Sequence, residues 1–337
     1  MNTPQSDFSP LSRLMSQEVI FHAVVQCVRL KLFDALSEQP ATPEEIARKF
    51  GFQLGPTQAL LELLAVNDLL TLGEHGYENT ATAAEFLVSD SYFYQGAALE
   101  HNSRFTAAIK TQFIPLLKGE ANPIAHAPDD AWSDTDTMRA TLQHSRMGAL
   151  QDTVKVISGL PNFTEMRFMA DIGGNHGEYS MALIERNPQL HGVILDLPGV
   201  VEKANERIAR HELTQSLKAQ VLDLRSDTLP SDSYDLVIAS HILYAFMDDL
   251  AGFARQVHDS LKPGGWFVSQ HMNRHSDTAL QEKASLEFVT RMSGYPTHFI
   301  AREQLESAFA VAGFADIRCA FSGPGAQGLI VAGQRDS

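Results

Sequence analysis

The run Asp171-Ile172-Gly173-Gly174-Asn175-His176-Gly177 sets three glycines between an apolar stretch and a segment that opens as a helix at Glu178-Tyr179-Ser180. Glycines in that position let backbone approach a ligand that side chains would hold off. Two acids follow at corresponding places. Asp196, with Leu197 after it, closes the next apolar run, and Asp223, with Leu224 after it, closes the one beyond. An acid about 20 residues past such a glycine loop accepts hydrogen bonds from ribose hydroxyls, and one on the following strand would lie at an adenine edge. A dinucleotide site wants Gly-x-Gly-x-x-Gly with a pyrophosphate at the helix N-terminus. Gly173, Gly174 and Gly177 do not complete that spacing, so S-adenosylmethionine is the better fit. No metal site is expected, because Cys27 and Cys319 are the only cysteines and neither stands in a Cys/His ligand spacing.

The elements that must position these residues are short apolar strands alternating with helices. Strands are expected at 167–172, 192–195, 219–222, 234–239, 266–270, 317–321 and 329–332. This alternation signals a parallel, doubly wound sheet. The last two are joined by Ser322-Gly323-Pro324-Gly325-Ala326-Gln327-Gly328, too short for a crossover helix, so they should pair antiparallel. The expected class is therefore α/β: a Rossmann-like domain with an antiparallel final hairpin, preceded by an α-rich winged-helix domain. The expected division is 1–105 for the winged helix, 106–160 for a helical linker that roofs the substrate, and 161–337 for the Rossmann-like domain.

In the first part, apolar residues recur at helical spacing from Glu18 to Leu36, as one long helix or two abutting ones. Thr42-Pro43-Glu44-Glu45 is a capping box with proline at the first helical position. Gly51 ends that helix, a second passes through Ala59 to Ala65, and Leu69 to Tyr77 reads as a short hairpin. Helix, turn, helix and wing invite a DNA-binding reading. The segment that would enter the groove, 54–70, carries Glu62 and Asp68 and no Lys or Arg, whereas phosphate tracking needs cations. The first helix instead offers more apolar face than so small a module can bury, which predicts a homodimer through this domain.

Composition agrees. With 26 Lys and Arg against 41 Asp and Glu, the net charge of -15 disfavours nucleic acid and anionic membranes as partners. The N-terminus lacks a basic stretch followed by an apolar core, no run approaches the roughly 18 apolar residues of a membrane span, and the sparse cysteines suit a reducing compartment. A cytoplasmic protein is expected.

These residues resemble the small-molecule O-methyltransferases of the caffeate and acetylserotonin type, which pair a winged-helix dimerisation domain with a Rossmann-like domain. The likeness rests on the glycine loop, on Leu195-Asp196-Leu197-Pro198-Gly199-Val200-Val201, on Tyr234-Asp235-Leu236-Val237, on Leu261-Lys262-Pro263-Gly264-Gly265 and on Ala312-Gly313-Phe314. It implies an S-adenosylmethionine-dependent methyltransferase acting on a small aromatic or conjugated acceptor at O, N or C. Gly173 and Gly177 would take the methionine end, Asp196 the ribose, and Asp223 with Leu224 the adenine. The full candidate cofactor set is Asp171, Gly173, Gly174, Gly177, Asp196, Leu197, Asp223, Leu224 and Ser240. Two positions depart from the family. Asn175 stands for its middle glycine, and Tyr244 stands where the family's catalytic histidine takes the acceptor's proton, as in bacteriochlorophyllide carbon methyltransferases of this family. A phenol of ordinary pKa near 10 is a poor base. Tyr244 and His144 are thus the candidate catalytic residues, Tyr244 to orient the acceptor and His144 as rival base. Met147, Phe288 and Met292 are candidate pocket walls. Non-methylating chemistry on the same cofactor (hydroxylation or pericyclic) and a metabolite-sensing regulator are the alternatives.

Overall fold

The computed structural model describes residues 3–120 and 130–336, and the chain divides after Thr106 into two compact units. In the first, α1 (Ser9–Arg29) and α2 (Leu32–Glu38) abut at Lys31, whose φ of 57° breaks the helix. The start of α3 (Pro43–Phe50) is the reciprocal cap: the Glu45 N–H donates to Thr42 Oγ1 at 3.3 Å and the Thr42 N–H to Glu45 Oε2 at 2.8 Å. Gly51, at φ 71°, terminates it. Then follow α4 (Leu54–Ala65), the antiparallel pair β1 (Leu70–Gly73) and β2 (Gly76–Asn79), and α5 (Ala81–Phe86). Val28, Phe33, Ile46, Leu61 and Leu64 close the core between them. One face of α1 takes no part in it. Leu11, Met15 and Val19 are 55%, 64% and 62% exposed, at the i, i+4, i+8 spacing of a single stripe.

The helix α6 (Gly96–Leu117) runs across the division. The second unit continues with α7 (Asp130–Ser133), α8 (Thr135–Ser145) and α9 (Ala149–Ser158). Strands and helices then alternate: β3 (Phe168–Ile172), α10 (Glu178–Arg186), β4 (His191–Asp196), α11 (Pro198–Arg210), β5 (Leu217–Val221), β6 (Tyr234–Ser240), α12 (Leu250–Ser260) and β7 (Leu261–Asn273). The chain ends with α13 (Leu280–Met292), β8 (Phe299–Ile300), α14 (Arg302–Ala312), β9 (Ala315–Ser322) and β10 (Gly328–Gln334). The sheet order is β5-β4-β3-β6-β7-β10-β9, with β8 beside β7. Pairing is parallel from β5 to β7, and β10 is antiparallel to both β7 and β9, as its short connection requires. The seven expected strands are all present; the two-residue β8 carried no sequence signal.

Alternate residues of each strand feed two cores, one holding Ile157, Met169, Leu183, Ile194 and Trp266 and the other Val237, Phe253, Phe267 and Phe309. A sheet covered on both faces leaves its strand ends as the natural ligand edge. Chain order reverses at β3, between β4 and β6, so the crevice of a doubly wound sheet falls at the carboxyl ends of these strands. Among the described residues no helix is long and apolar enough to cross a membrane.

Candidate active site at the carboxyl ends of the strands

Beyond Ile172 the backbone takes three left-handed steps, Gly173 at φ 64°, Asn175 at 42° and Gly177 at 72°. Asparagine tolerates that region better than most side chains. Packing beneath the loop also enforces glycine: a Cβ on Gly173 would meet Ile242 Cγ2 at 2.5 Å, and one on Gly177 would meet Ile194 Cδ1 at 2.7 Å. Gly174 stands over the Asp171 carboxyl, where a Cβ would lie 2.5 Å from Cγ. Asp171 itself is buried and accepts a hydrogen bond from Ser180 Oγ at 2.7 Å. Burial pushes its carboxyl up to about 7, against the Ser180 hydroxyl and with the help of the Asp196 charge. Its place is under the loop, tying β3 to α10.

Asp196 ends β4 half-buried. Its Oδ1 accepts from the Leu197 N–H at 2.8 Å and its Oδ2 from the Asn175 N–H at 2.9 Å. Each oxygen keeps a lone pair for a further donor. Burial pushes this carboxyl up to about 6, opposed by the Leu197 and Asn175 bonds. A carboxylate so placed beside a glycine loop fits a vicinal diol, whose two hydroxyls would complete its hydrogen bonds. Asp223, by contrast, is gripped by Arg225, with Nε 2.8 Å from Oδ1 and the second guanidinium nitrogen 2.7 Å from Oδ2. Leu224 is half-buried beside it against the second core. Ser240 ends β6 and donates to Gln270 Oε1 at 2.8 Å. Asp196 at the end of β4 thus has acceptor capacity left for a diol, whereas the Asp223 carboxylate beyond β5 is already occupied by Arg225.

Asp196→Ala should weaken cofactor binding by about 1–3 kcal/mol, the cost of stranding the hydroxyls that the carboxylate would receive. A diol would donate to the ionised form, so wild-type affinity should be full well above pH 6 and fall as pH drops through 6 and Asp196 protonates. Calorimetry showing unchanged affinity in the variant would remove Asp196 from the site.

Past Ser240 lies a cluster of aromatic and imidazole rings. His241, at φ 55°, turns its ring to within 6.2 Å of His271 on β7 and 5.8 Å of His298, which precedes β8. Tyr244 is wedged with its ring stacked on His298 at 5.1 Å and edge-on to Tyr295 at 4.8 Å. His144, from α8, approaches closely enough that its charge would act on both His241 and His298. Burial, first, and mutual repulsion, second, hold these imidazoles neutral: His298 falls to about 4, His271 to about 3, and His241 well below its ordinary value. His144 is lowered by burial and yet keeps solvent contact. Burial and the neighbouring Tyr295 raise the Tyr244 phenol above its usual range, so it is not a base near neutral pH.

His271 is 1% exposed, and among the described residues neither of its ring nitrogens has a hydrogen-bond partner. Sequence reasoning missed His271, His298 and Tyr295. A signal for the first was available: Ser269-Gln270-His271 is a buried polar run at the carboxyl end of a central strand, where apolar residues belong unless a site is near. Of the candidate walls, Met292 is buried, Met147 is exposed, and Phe288 is exposed and packs at 5.9 Å on Phe113. The helix bearing His144 is anchored by Glu178, whose carboxylate receives Arg146 from the end of α8 and Arg207 from α11. Among the described residues no group of His, Cys, Asp or Glu is arranged to hold a metal ion.

A glycine loop, a strand-end acid and an antiparallel final hairpin on a parallel sheet define a methyltransferase of the S-adenosylmethionine-dependent class. Residues 170–267 match the family model of a methyltransferase domain, and residues 12–89 match that of an O-methyltransferase dimerisation domain. The chain is 28% identical to a 3-hydroxy-5-methyl-1-naphthoate 3-O-methyltransferase of Streptomyces sahachiroi, over 89% of this chain and 87% of that one. It is 26% identical to the N,N-dimethyltransferase OxyT of Streptomyces rimosus, over 79% of each. In structure it resembles an O-methyltransferase family protein of Burkholderia thailandensis, with a TM-score of 0.78 at 24% identity over 99% of both chains. Human N-acetylserotonin methyltransferase, solved in complex with S-adenosylmethionine, gives a TM-score of 0.77 at 16% identity over 100% of both chains. The protein belongs to the S-adenosylmethionine-dependent methyltransferases that join an O-methyltransferase dimerisation domain to a Rossmann-like methyltransferase domain.

Proposed function

We propose that this enzyme methylates a small aromatic acceptor held against the histidine-lined recess, with a hydroxyl oxygen favoured over nitrogen or carbon. One observation carries the reading: four imidazoles and two phenols from separate elements converge beside the strand ends that suit the cofactor. The cofactor supplies a sulfonium methyl open to in-line displacement. Asp196 binds the ribose, Gly173, Gly174 and Gly177 leave room for the methionine end, and Asp223 with Leu224 faces the adenine once Arg225 yields. Leu197 caps α11 behind the ribose, Asp171 braces the loop, and Ser240 borders the methyl.

Rings of Tyr244, Tyr295 and His298 flank the acceptor and exclude water. Of the imidazoles, His144 is the one proposed to take the acceptor's proton, since it alone of the four is exposed to solvent. Tyr244 orients the acceptor. The names of relatives acting on a hydroxynaphthoate and, elsewhere, on L-tyrosine support an aromatic acceptor. The test is incubation with S-adenosylmethionine labelled at its methyl group and a panel of phenols, aryl amines and hydroxyaryl carboxylates, read by mass spectrometry. Label on a phenolic oxygen is the expected result; label only on nitrogen or carbon would refute the choice of atom.

We further propose that the chain is a homodimer built on the exposed stripe of α1. The dimerisation-domain match and the stripe Leu11, Met15 and Val19 support it. Sedimentation at micromolar protein should give twice the chain mass, and the double variant Met15→Glu, Val19→Glu should give monomers. A monomeric wild type would contradict the assignment. Cys27 and Cys319 are both free, in keeping with a reducing, cytoplasmic setting.

A further inference from the structure

Asn175 occupies the place where the resembling family has a glycine, and in this chain its side chain is put to use. Its backbone N–H donates to Asp196 Oδ2 at 2.9 Å. From the same residue, Nδ2 donates to the Trp132 carbonyl oxygen at 3.2 Å, the last turn of α7. Its Oδ1 lies 3.4 Å from the Thr141 hydroxyl, which donates more closely to its own helix at the Met138 oxygen, 2.9 Å away. Thr141 sits on α8 one turn before His144. The segment is also pressed down elsewhere: a Cβ on Gly199, at the start of α11, would lie 2.8 Å from Ser133 Oγ. Asn175 thus joins three things: the carboxylate suited to the ribose, the short helix packed over the start of α11, and the helix that carries the candidate base.

We propose that Asn175 is a positioning residue that transmits occupancy of Asp196 to α8, so that a bound cofactor sets His144 in the acceptor recess. The inference rests on the cofactor reading above. A ligand diol that shares the Asp196 carboxylate fixes the neighbouring Asn175 backbone. That in turn narrows the arc over which the Asn175 amide can hold Trp132 and Thr141. A glycine in its place would keep the loop's positive φ without strain and would lose both side-chain links.

The experiment uses S-adenosylhomocysteine as probe, calorimetry for binding and amide hydrogen exchange over Thr135–Ser145 for the state of α8. In wild type the probe should slow exchange across α8 by about tenfold or more, the size expected when a locally opening helix is held. Asn175→Gly should bind the probe within about fivefold of wild type, since Asp196 is intact, and should show no slowing in α8. Asn175→Asp, which keeps the side-chain size, the same φ and an acceptor for Thr141 but cannot donate to the Trp132 carbonyl, should show slowing in α8 between that of wild type and the glycine variant. Equal slowing of α8 in wild type and both variants would overturn the proposal. So would loss of probe binding in the variants, which would make Asn175 a binding residue. A wild type that binds no probe would refute the cofactor reading itself, and calorimetry distinguishes that outcome from the others.

Discussion

His144→Ala is expected to lower turnover by about 10²- to 10⁴-fold on a hydroxyl acceptor, the range for losing a positioned proton acceptor. Tyr244→Phe should cost far less, about 5- to 30-fold, since one orienting hydrogen bond is worth about 1–2 kcal/mol. The pH dependence separates the two roles. Burial lowers the His144 pKa from its ordinary value, so the base form persists to lower pH. Turnover in wild type should rise with pH along a limb whose midpoint lies below 6.5 and then hold level. That limb should survive in Tyr244→Phe and vanish in His144→Ala. A limb that persists in His144→Ala but disappears in His298→Gln would move the proton acceptor to the ring stacked on Tyr244.

Stability should fall steeply with acid. His176, His241, His271 and His298 all have folded pKa values depressed by burial, to about 4, well below the usual value, about 3 and about 4 respectively. Their contribution is complete above pH 6.5 and is lost as pH falls toward the folded values, because the unfolded chain then takes four protons that the folded chain refuses. Asp171 and Asp196 act oppositely. Their folded pKa values are raised to about 7 and about 6, so between pH 4 and 6 the folded chain holds two protons that the unfolded chain releases. Across these six groups the difference is about two protons in favour of the unfolded state, or roughly 3 kcal/mol lost per pH unit between about pH 6 and 4.5. Denaturant titrations at pH 7.5, 6.0 and 5.0 would measure it. His271→Leu, which removes a titrating group and two unpartnered ring nitrogens, should flatten the slope by about one proton. A wild type equally stable at pH 7.5 and 5.0 would contradict the neutral, buried cluster.

What the sequence disclosed was local. The capping box at Thr42, the glycine turn at Gly51, the loop at Gly173 to Gly177 and the strand-end acid Asp196 depend on neighbours within a few residues, so residue order suffices to find them. Period and connection length likewise gave the antiparallel β9–β10 pair. What stayed hidden was long-range. The histidine cluster draws on α8, the end of β6, β7 and the turn before β8, and no local pattern reports such a meeting. The clamp of Arg225 on Asp223 and the seat of Asp171 beneath Gly174 depend on rotamers, which composition and spacing do not encode. Asn175 was legible as a tolerated departure from glycine, but its bond to Trp132, 43 residues away in sequence, was not.

In the proposed complex the cofactor lies across Asp196 and the glycine loop with its reacting end turned toward the histidine cluster. A crystal structure of the S-adenosylhomocysteine complex tests it most directly. Ribose hydroxyls are expected on the Asp196 carboxylate, the amino-acid end over Gly173 to Gly177, and the sulfur facing His144, Tyr244 and His298. A nucleoside bound away from Asp196, or a sulfur turned from the recess, would contradict it.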